Sequence, residues 1–108
     1  MASADDLRRF ALSLEGTVET PHMDRAAFKV KRIYATLPPD RRTVNLLLTP
    51  DQQALKCEVA PDAFAAIPNA WGRQGWTTAT LAALTQRELE DALALAWRNA
   101  TGRPPRRG

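Results

Sequence analysis

Two tryptophans and an arginine stand close together in one stretch and could form a binding site. Trp71 and Trp76 lie five residues apart, each next to a glycine, with Arg73 between them. An indole ring can stack on a nucleobase, and an arginine can hold a phosphate or a carboxylate. The alternative for each tryptophan is packing, since one ring buries roughly 150–250 Å². The sequence favours packing for Trp76, which begins a predicted strand, and leaves both roles open for Trp71.

Basic side chains are concentrated in the middle of the chain. Residues 25–56 carry seven basic groups and two acids, although the whole chain has a net charge of only +3. Arginine, the commoner basic residue here, favours bidentate contacts to phosphate. Each phosphate contact would add affinity that falls with salt. The leading hypothesis is therefore a non-enzymatic domain that binds DNA weakly, and a solvated charged surface is the alternative. The predicted contact residues are Arg25, Lys29, Lys31, Arg32, Arg41, Arg42, Trp71 and Arg73.

A second hypothesis places a cleft where the first places a surface. His22, Trp71, Arg73 and Trp76 come from predicted loops or strand edges and could line one concave site. Such a site would hold a small ligand or a protein partner, and Arg73 would then bind an acidic group. The sequence therefore leaves a DNA-binding domain and a ligand-binding or protein-interaction module open.

Catalytic and metal-binding patterns are weak. His22 could act as a general base with Asp24 nearby, but such an isolated pair is more often structural, so no catalytic residue is predicted. One histidine and one cysteine cannot supply the usual ligands of a structural zinc site. Neither a glycine-rich phosphate loop nor a nucleophile elbow occurs. The sequence therefore predicts no metal and no cofactor.

Length and composition predict one domain over residues 1–102, followed by a flexible basic tail over 103–108. No apolar run reaches the ~20 residues of a membrane span, and the first residues lack the pattern of a secretory signal. Cys57 is the only cysteine, so no disulfide can form within the chain. Together these features predict a cytoplasmic protein without a membrane partner.

Periodicity and turn signals predict three helices and five strands in the order α-β-β-β-α-β-β-α. The helices run from Ser3 to Leu14, from Pro50 to about Glu58, and onward from a capping box at Thr85. A strand from Leu55 to Val59 is the alternative to the end of the second helix. Residues 17–27 are predicted as a loop. The predicted strands are 28–30, 33–37, 43–48, 64–67 and 75–81. This order indicates an α+β fold, a five-stranded antiparallel sheet with helices on one face and the other face free to bind.

Three segments carry a resemblance to a known family. The segments "PHMDRAAFKVKRIYATL", "DRRTVNLLLTPDQQ" and "PDAFAAIPNAWGRQGWTT" resemble the MmcQ/YjbR family of small bacterial proteins. The similarity extends from the first helix to the last, and the stretch from Trp71 to Thr78 is among its most specific parts. The resemblance implies a CyaY-like α+β fold, which agrees with the predicted order. It also implies DNA binding, the activity by which the family is commonly described.

Overall fold

The computed structural model describes residues 1–102, so the basic tail predicted over 103–108 lies outside the described residues. Ten helices and strands make up the described part, and a 3-10 turn over Leu81–Ala83 precedes the last helix. In chain order they are α1 (Ala4–Ser13), β1 (Val18–His22), β2 (Arg25–Lys29), β3 (Ile33–Leu37), β4 (Thr43–Leu47), α2 (Pro50–Val59), β5 (Phe64–Ala66), α3 (Ala70–Arg73), β6 (Trp76–Thr80) and α4 (Gln86–Thr101).

The three long helices begin where the sequence predicts. Ser3, Thr49 and Thr85 are the N-cap residues, and the hydroxyl of each accepts a hydrogen bond from the backbone N–H three residues later. At each cap, the side chain three residues on accepts from the backbone of the cap, which completes a capping box. Gly102 ends α4 in the left-handed conformation at φ +69°, as glycine does without steric cost. The predicted helices are confirmed to within about one residue at each described end.

The sheet has six strands, so the predicted number of five is wrong. The strand that the sequence missed is β1, which lies inside the segment predicted as a loop and contains Pro21. Proline removes a backbone donor, but β1 is an edge strand and pairs only with β2. A two-residue turn at Met23 and Asp24 joins β1 to β2, with Met23 in the left-handed region at φ +60°. Because Met-Asp is not a typical turn pair, this hairpin has no clear sequence signal.

The predicted element order is wrong at a second point, in the stretch that carries Trp71. One turn of helix, α3, occupies Ala70–Arg73 between β5 and β6, where the sequence predicted a loop. The strands lie in the order β1-β2-β3-β4-β6-β5, and every neighbouring pair is antiparallel. The α+β class and the antiparallel sheet are therefore confirmed, whereas the strand number and the order are corrected.

Helices α1 and α4 pack together against one face of the sheet, and α4 contacts β3 and β4. The apolar stripe of α4, including Leu89 and Leu93, is fully buried there. The indole N–H of Trp97 on α4 donates to the carbonyl oxygen of Glu15 at 2.9 Å, which ties the last helix to the end of α1. The sheet face opposite α1 and α4 is called the open face below.

A bulge in β3 assigns its residues to the two faces. The pairing with β2 shifts by one residue between Phe28 and Lys29, so that Tyr34 and Ala35 together stand opposite Phe28. Tyr34 points to the helices, because its hydroxyl donates to the carbonyl oxygen of Ala11 at 3.4 Å. The bulge lets Ile33 share the open face with Thr36, which strict alternation would forbid.

Candidate functional site

A row of polar residues crosses the middle of the open face. Thr36 on β3 pairs with Asn45 on β4, and Asn45 pairs with Thr78 on β6, so the three side chains point to the same side of the sheet. The hydroxyl of Thr78 donates to Oδ1 of Asn45 at 2.8 Å. Thr36 is buried, and Asn45 is half-buried. The open face therefore carries a polar row in place of a second apolar layer.

Arg25 is held against this row by its neighbour on β3. Its Nε donates to Oγ1 of Thr36 at 2.9 Å, and Nη2 donates to the Thr36 carbonyl oxygen at 3.2 Å. Two bonds to one residue fix the plane of the guanidinium, which reduces the entropy lost when it binds an anion. No carboxylate among residues 1–102 forms an ion pair with Arg25. The charge is therefore oriented but not neutralised.

Two glycines explain the shape of the tryptophan stretch. A Cβ at Gly72 would stand 1.6 Å from the carbonyl oxygen of Ile67, and one at Gly75 would stand 1.9 Å from that of Leu48. Gly75 also has φ +114°, which side-chain-bearing residues rarely adopt. The backbone of this stretch therefore folds directly onto two other segments of the chain. This close approach fixes where Trp71 and Trp76 emerge.

The side chain of Gln53, on α2, holds the same stretch from the helix side. Its Nε2 lies 2.9 Å from the carbonyl oxygen of Gly72, 2.9 Å from that of Trp76 and 3.2 Å from Oγ1 of Thr77. Thr77 is fully buried, and its hydroxyl donates to the carbonyl oxygen of Gly75 at 2.8 Å. One amide therefore bridges the backbone beside both tryptophans.

These elements surround a cleft of about 430 Å³ on the open face. Its lining combines two arginines, two indoles and a histidine with hydroxyl, amide and aliphatic side chains, and it includes no carboxylate. Trp71 is 59% exposed, and Trp76 is half-buried with an indole N–H that has no partner in the part of the chain described. The lining residues are His22, Arg25, Arg32, Ile33, Thr36, Asn45, Ile67, Asn69, Trp71 and Trp76.

The predicted contact residues divide between the cleft and other surfaces. Arg25, Arg32 and Trp71 line the cleft. Lys29 and Lys31 are exposed close to it, since Lys29 pairs with the cleft residue Ile33. Arg41 lies at the opposite end of β3 from Arg32 and donates to Oδ1 of Asp5 at 2.7 Å. Arg42 and Arg73 are exposed and do not line the cleft.

The structure brings together the residues of the predicted ligand-binding cleft, with the exception of Arg73. His22, Trp71 and Trp76 line one cleft, as that hypothesis requires, whereas Arg73 does not. Arg73 follows Trp71 by two positions on α3, and residues two apart on a helix point in roughly opposite directions. Arg25 and Arg32 supply the positive charge that the hypothesis assigned to Arg73.

The two residues considered for acid–base chemistry, His22 and Asp24, line different depressions. His22 lines the cleft, whereas Asp24 lines a different depression beside Arg8 and Glu19. No hydrogen bond joins His22 to Asp24 in the structure. Among residues 1–102, no group of three or more His, Cys, Asp or Glu side chains is arranged to hold a metal ion.

Sequence reasoning missed the polar and aliphatic half of the cleft, including Thr36, Asn45 and Asn69. A signal for it was present on β3 and β4, because Thr36 and Asn45 each stand between two apolar residues in their strands. The unknown quantity was the strand register, which aligns these two residues with Thr78 in one row. Asn69 had a local signal as an N-cap before Ala70-Trp71-Gly72, but α3 was too short to be predicted.

The fold and the cleft define a class of protein, an α+β protein whose antiparallel sheet has helices on one face and a cationic, aromatic cleft on the other. No helix in the described range is long and apolar enough to cross a membrane. The family model YjbR matches residues 12–99, and the chain therefore belongs to the YjbR family.

A solved structure shares this fold. The crystal structure of Deinococcus radiodurans protein DR2400, which carries the domain DUF419, superimposes with a TM-score of 0.80 at 24% sequence identity. The match covers 94% of this chain and 80% of that one. At this identity the likeness concerns the fold alone. Comparison with curated proteins gives no match.

Proposed function

We propose that the protein is a non-enzymatic binding module whose open-face cleft holds a small anionic ligand. The observation that carries the proposal is Arg25, whose guanidinium is oriented by Thr36 inside a cleft without carboxylates. Arg32 adds a second positive charge to the same lining. The two bonds to Thr36 replace part of the hydration of this half-buried cation but not a counter-ion, so an anion that enters the cleft would supply the missing charge partner.

The size and walls of the cleft favour a small molecule over an extended polymer. A volume of about 430 Å³ lies within the range of sites for small ligands. Two indoles and two isoleucines contribute apolar wall, and the charged groups are few and oriented. The proposal includes a cytoplasmic location, supported by the single cysteine, and a CyaY-like fold, supported by the family resemblance.

Calorimetric titration with 2-naphthoate and with inorganic phosphate at low salt tests the proposal. We expect binding to the wild-type chain and at least a tenfold loss in Arg25→Met, because a hydrogen bond to a charged group contributes about 1.5–3 kcal/mol. Arg73→Met is the matched control, since it removes the same charge from outside the cleft. Absence of anion binding to the wild type, or equal losses in the two variants, would contradict the proposal.

Weak DNA binding is the second candidate, and one observation favours it. Lys29, Lys31 and Arg32 are exposed together around the turn between β2 and β3, next to the cleft, and no described acid forms an ion pair with them. They could contact phosphates while Trp71 stacks on a base. Arg41 counts less toward this surface, since Asp5 already binds it.

A salt titration with labelled DNA tests this candidate separately. Phosphate contacts require affinity that falls steeply between about 50 and 200 mM salt. We expect Lys31→Gln to reduce the salt slope and Glu58→Gln, on the distant helix α2, to leave it unchanged. Binding without a salt slope, or no binding at about 50 mM salt, would remove DNA from consideration without affecting the small-ligand proposal.

A further inference from the structure

We infer that the cleft selects a planar aromatic oxyanion whose polar atoms are all hydrogen-bond acceptors, and that Asn69 and Asn45 determine this selectivity. The inference rests on the proposed anion-binding function and adds the chemical class of the ligand. It follows from which end of each amide the fold already uses.

Asn69 has its oxygen occupied and its nitrogen unused. Oδ1 accepts from the backbone N–H of Trp71 at 2.9 Å and of Gly72 at 3.4 Å. Two backbone donors converge on this atom, so it must be the oxygen, and the amide NH₂ must be the other end. That NH₂ has no hydrogen-bond partner among residues 1–102, although Asn69 lines the cleft. Asn69 therefore offers the cleft donors only.

Asn45 repeats the pattern on the floor of the cleft. Its Oδ1 accepts from the hydroxyl of Thr78 at 2.8 Å, which leaves its NH₂ to donate. The hydroxyl oxygen of Thr36 accepts from Nε of Arg25, so the proton of Thr36 is also available to a ligand. Guanidinium groups and indoles are themselves donors without acceptor capacity. His22 is the exception, because an imidazole can present an acceptor nitrogen, and donors make up the rest of the polar side-chain lining.

A ligand that carries hydrogen-bond donors would place them against the donors of the cleft, and both sets of donors would then lack acceptors, which weakens binding. A ligand with carboxylate, phosphate or ring carbonyl oxygens would satisfy them. The indoles of Trp71 and Trp76, with Ile33 and Ile67, suit the flat apolar part of such a ligand. The shared chemistry is an aromatic ring bearing an oxyanion, and the oxyanion can come from an aryl carboxylate or an aryl phosphate.

The decisive variant is Asn69→Ser, which keeps an oxygen able to cap α3 and removes the NH₂ without changing the charge. We expect it to weaken 2-naphthoate binding about tenfold, since one hydrogen bond to a charged group is lost. Asn69→Asp and Asn45→Asp keep the occupied oxygen and replace the donor by an acceptor, so both should bind less tightly still. Gln74→Glu is the control for an added charge, because Gln74 is exposed at the end of α3 and does not line the cleft, and it should weaken binding less than either variant.

A ligand panel completes the test. We expect 2-naphthoate to bind at least tenfold more tightly than acetate, and 2-naphthylmethylamine not to bind the wild type at all. 2-Naphthyl phosphate against 2-naphthoate distinguishes the two sources of the oxyanion. If acetate binds as tightly as 2-naphthoate, or if Asn69→Ser binds 2-naphthoate as tightly as the wild type, the inference about the ligand class fails while anion binding stands. If no anion binds, or Arg25→Met has no effect, the proposed function itself fails.

Discussion

Removing the side chain of Gln53 should loosen the segment that positions Trp71 and Trp76 in the cleft. The amide carries two hydrogens and lies within 3.2 Å of three acceptors, the carbonyl oxygens of Gly72 and Trp76 and Oγ1 of Thr77. Gln53→Ala therefore removes at least two hydrogen bonds, each contributing about 1 kcal/mol, and leaves partly buried carbonyls unsatisfied. We expect the free energy of unfolding to fall by roughly 2–3 kcal/mol, and the melting temperature by about 10 °C.

Urea denaturation followed by circular dichroism measures this loss. Glu58→Ala is the control, because Glu58 is exposed on the same helix and makes no hydrogen bond in the structure. Gln53→Glu should cost more than Gln53→Ala at neutral pH, since it directs a carboxylate at three acceptors. A loss for Gln53→Ala no greater than that for Glu58→Ala would refute the bridging role. So would a Gln53→Glu variant as stable as the wild type.

Three other perturbations have expected outcomes. Gly72→Ala should lower the free energy of unfolding by more than about 3 kcal/mol, because the new Cβ would stand 1.6 Å from a backbone oxygen. Gly102→Ala is the control: its Cβ would meet nothing within 4 Å, and only its positive φ should cost about 1 kcal/mol. Chemical denaturation measures both losses. Burial raises the pKa of Tyr34 to about 12, so ionisation of this phenol favours unfolding and the stability should fall above about pH 10. Tyr34→Phe should be about 1 kcal/mol less stable than the wild type at pH 7, and its stability should fall much less at alkaline pH. Thermal melts across pH would show both effects. Met23→Gly should raise the melting temperature by no more than a few degrees. Relief of the left-handed strain at Met23, about 1 kcal/mol, outweighs the extra conformational entropy that glycine gives the unfolded chain. A lower melting temperature would contradict this.

Local signals predicted most of the elements but not the way they meet. Thr49 and Thr85 are helix N-caps because a hydroxyl followed by Gln or Glu three residues later is a local arrangement, readable from the chain. The strand β1 was missed because Pro21 argues against a strand, and only its edge position makes proline acceptable. Position in the sheet is a tertiary property, which no local window contains.

The candidate site was predicted in part for the same reason. Trp71 and Arg25 were named from composition and spacing, and both line the cleft. The same basic block includes Arg41, but β3 separates the two ends of that block and Asp5 binds Arg41. Asn69 and Asn45 were not predicted, since the role proposed for them depends on which amide atom the fold occupies.

The position of α4 after all six strands has a consequence for synthesis of the protein. Its buried residues, among them Leu89 and Leu93, cover β3 and β4, and the indole N–H of Trp97 bonds the backbone of Glu15 at the end of α1. Until α4 has left the ribosome, the apolar side of the sheet has no complete cover, and the strands that have already emerged are exposed to other chains. The nascent protein should therefore depend on chaperones until α4 emerges, and a translational pause before Gln86 should increase aggregation.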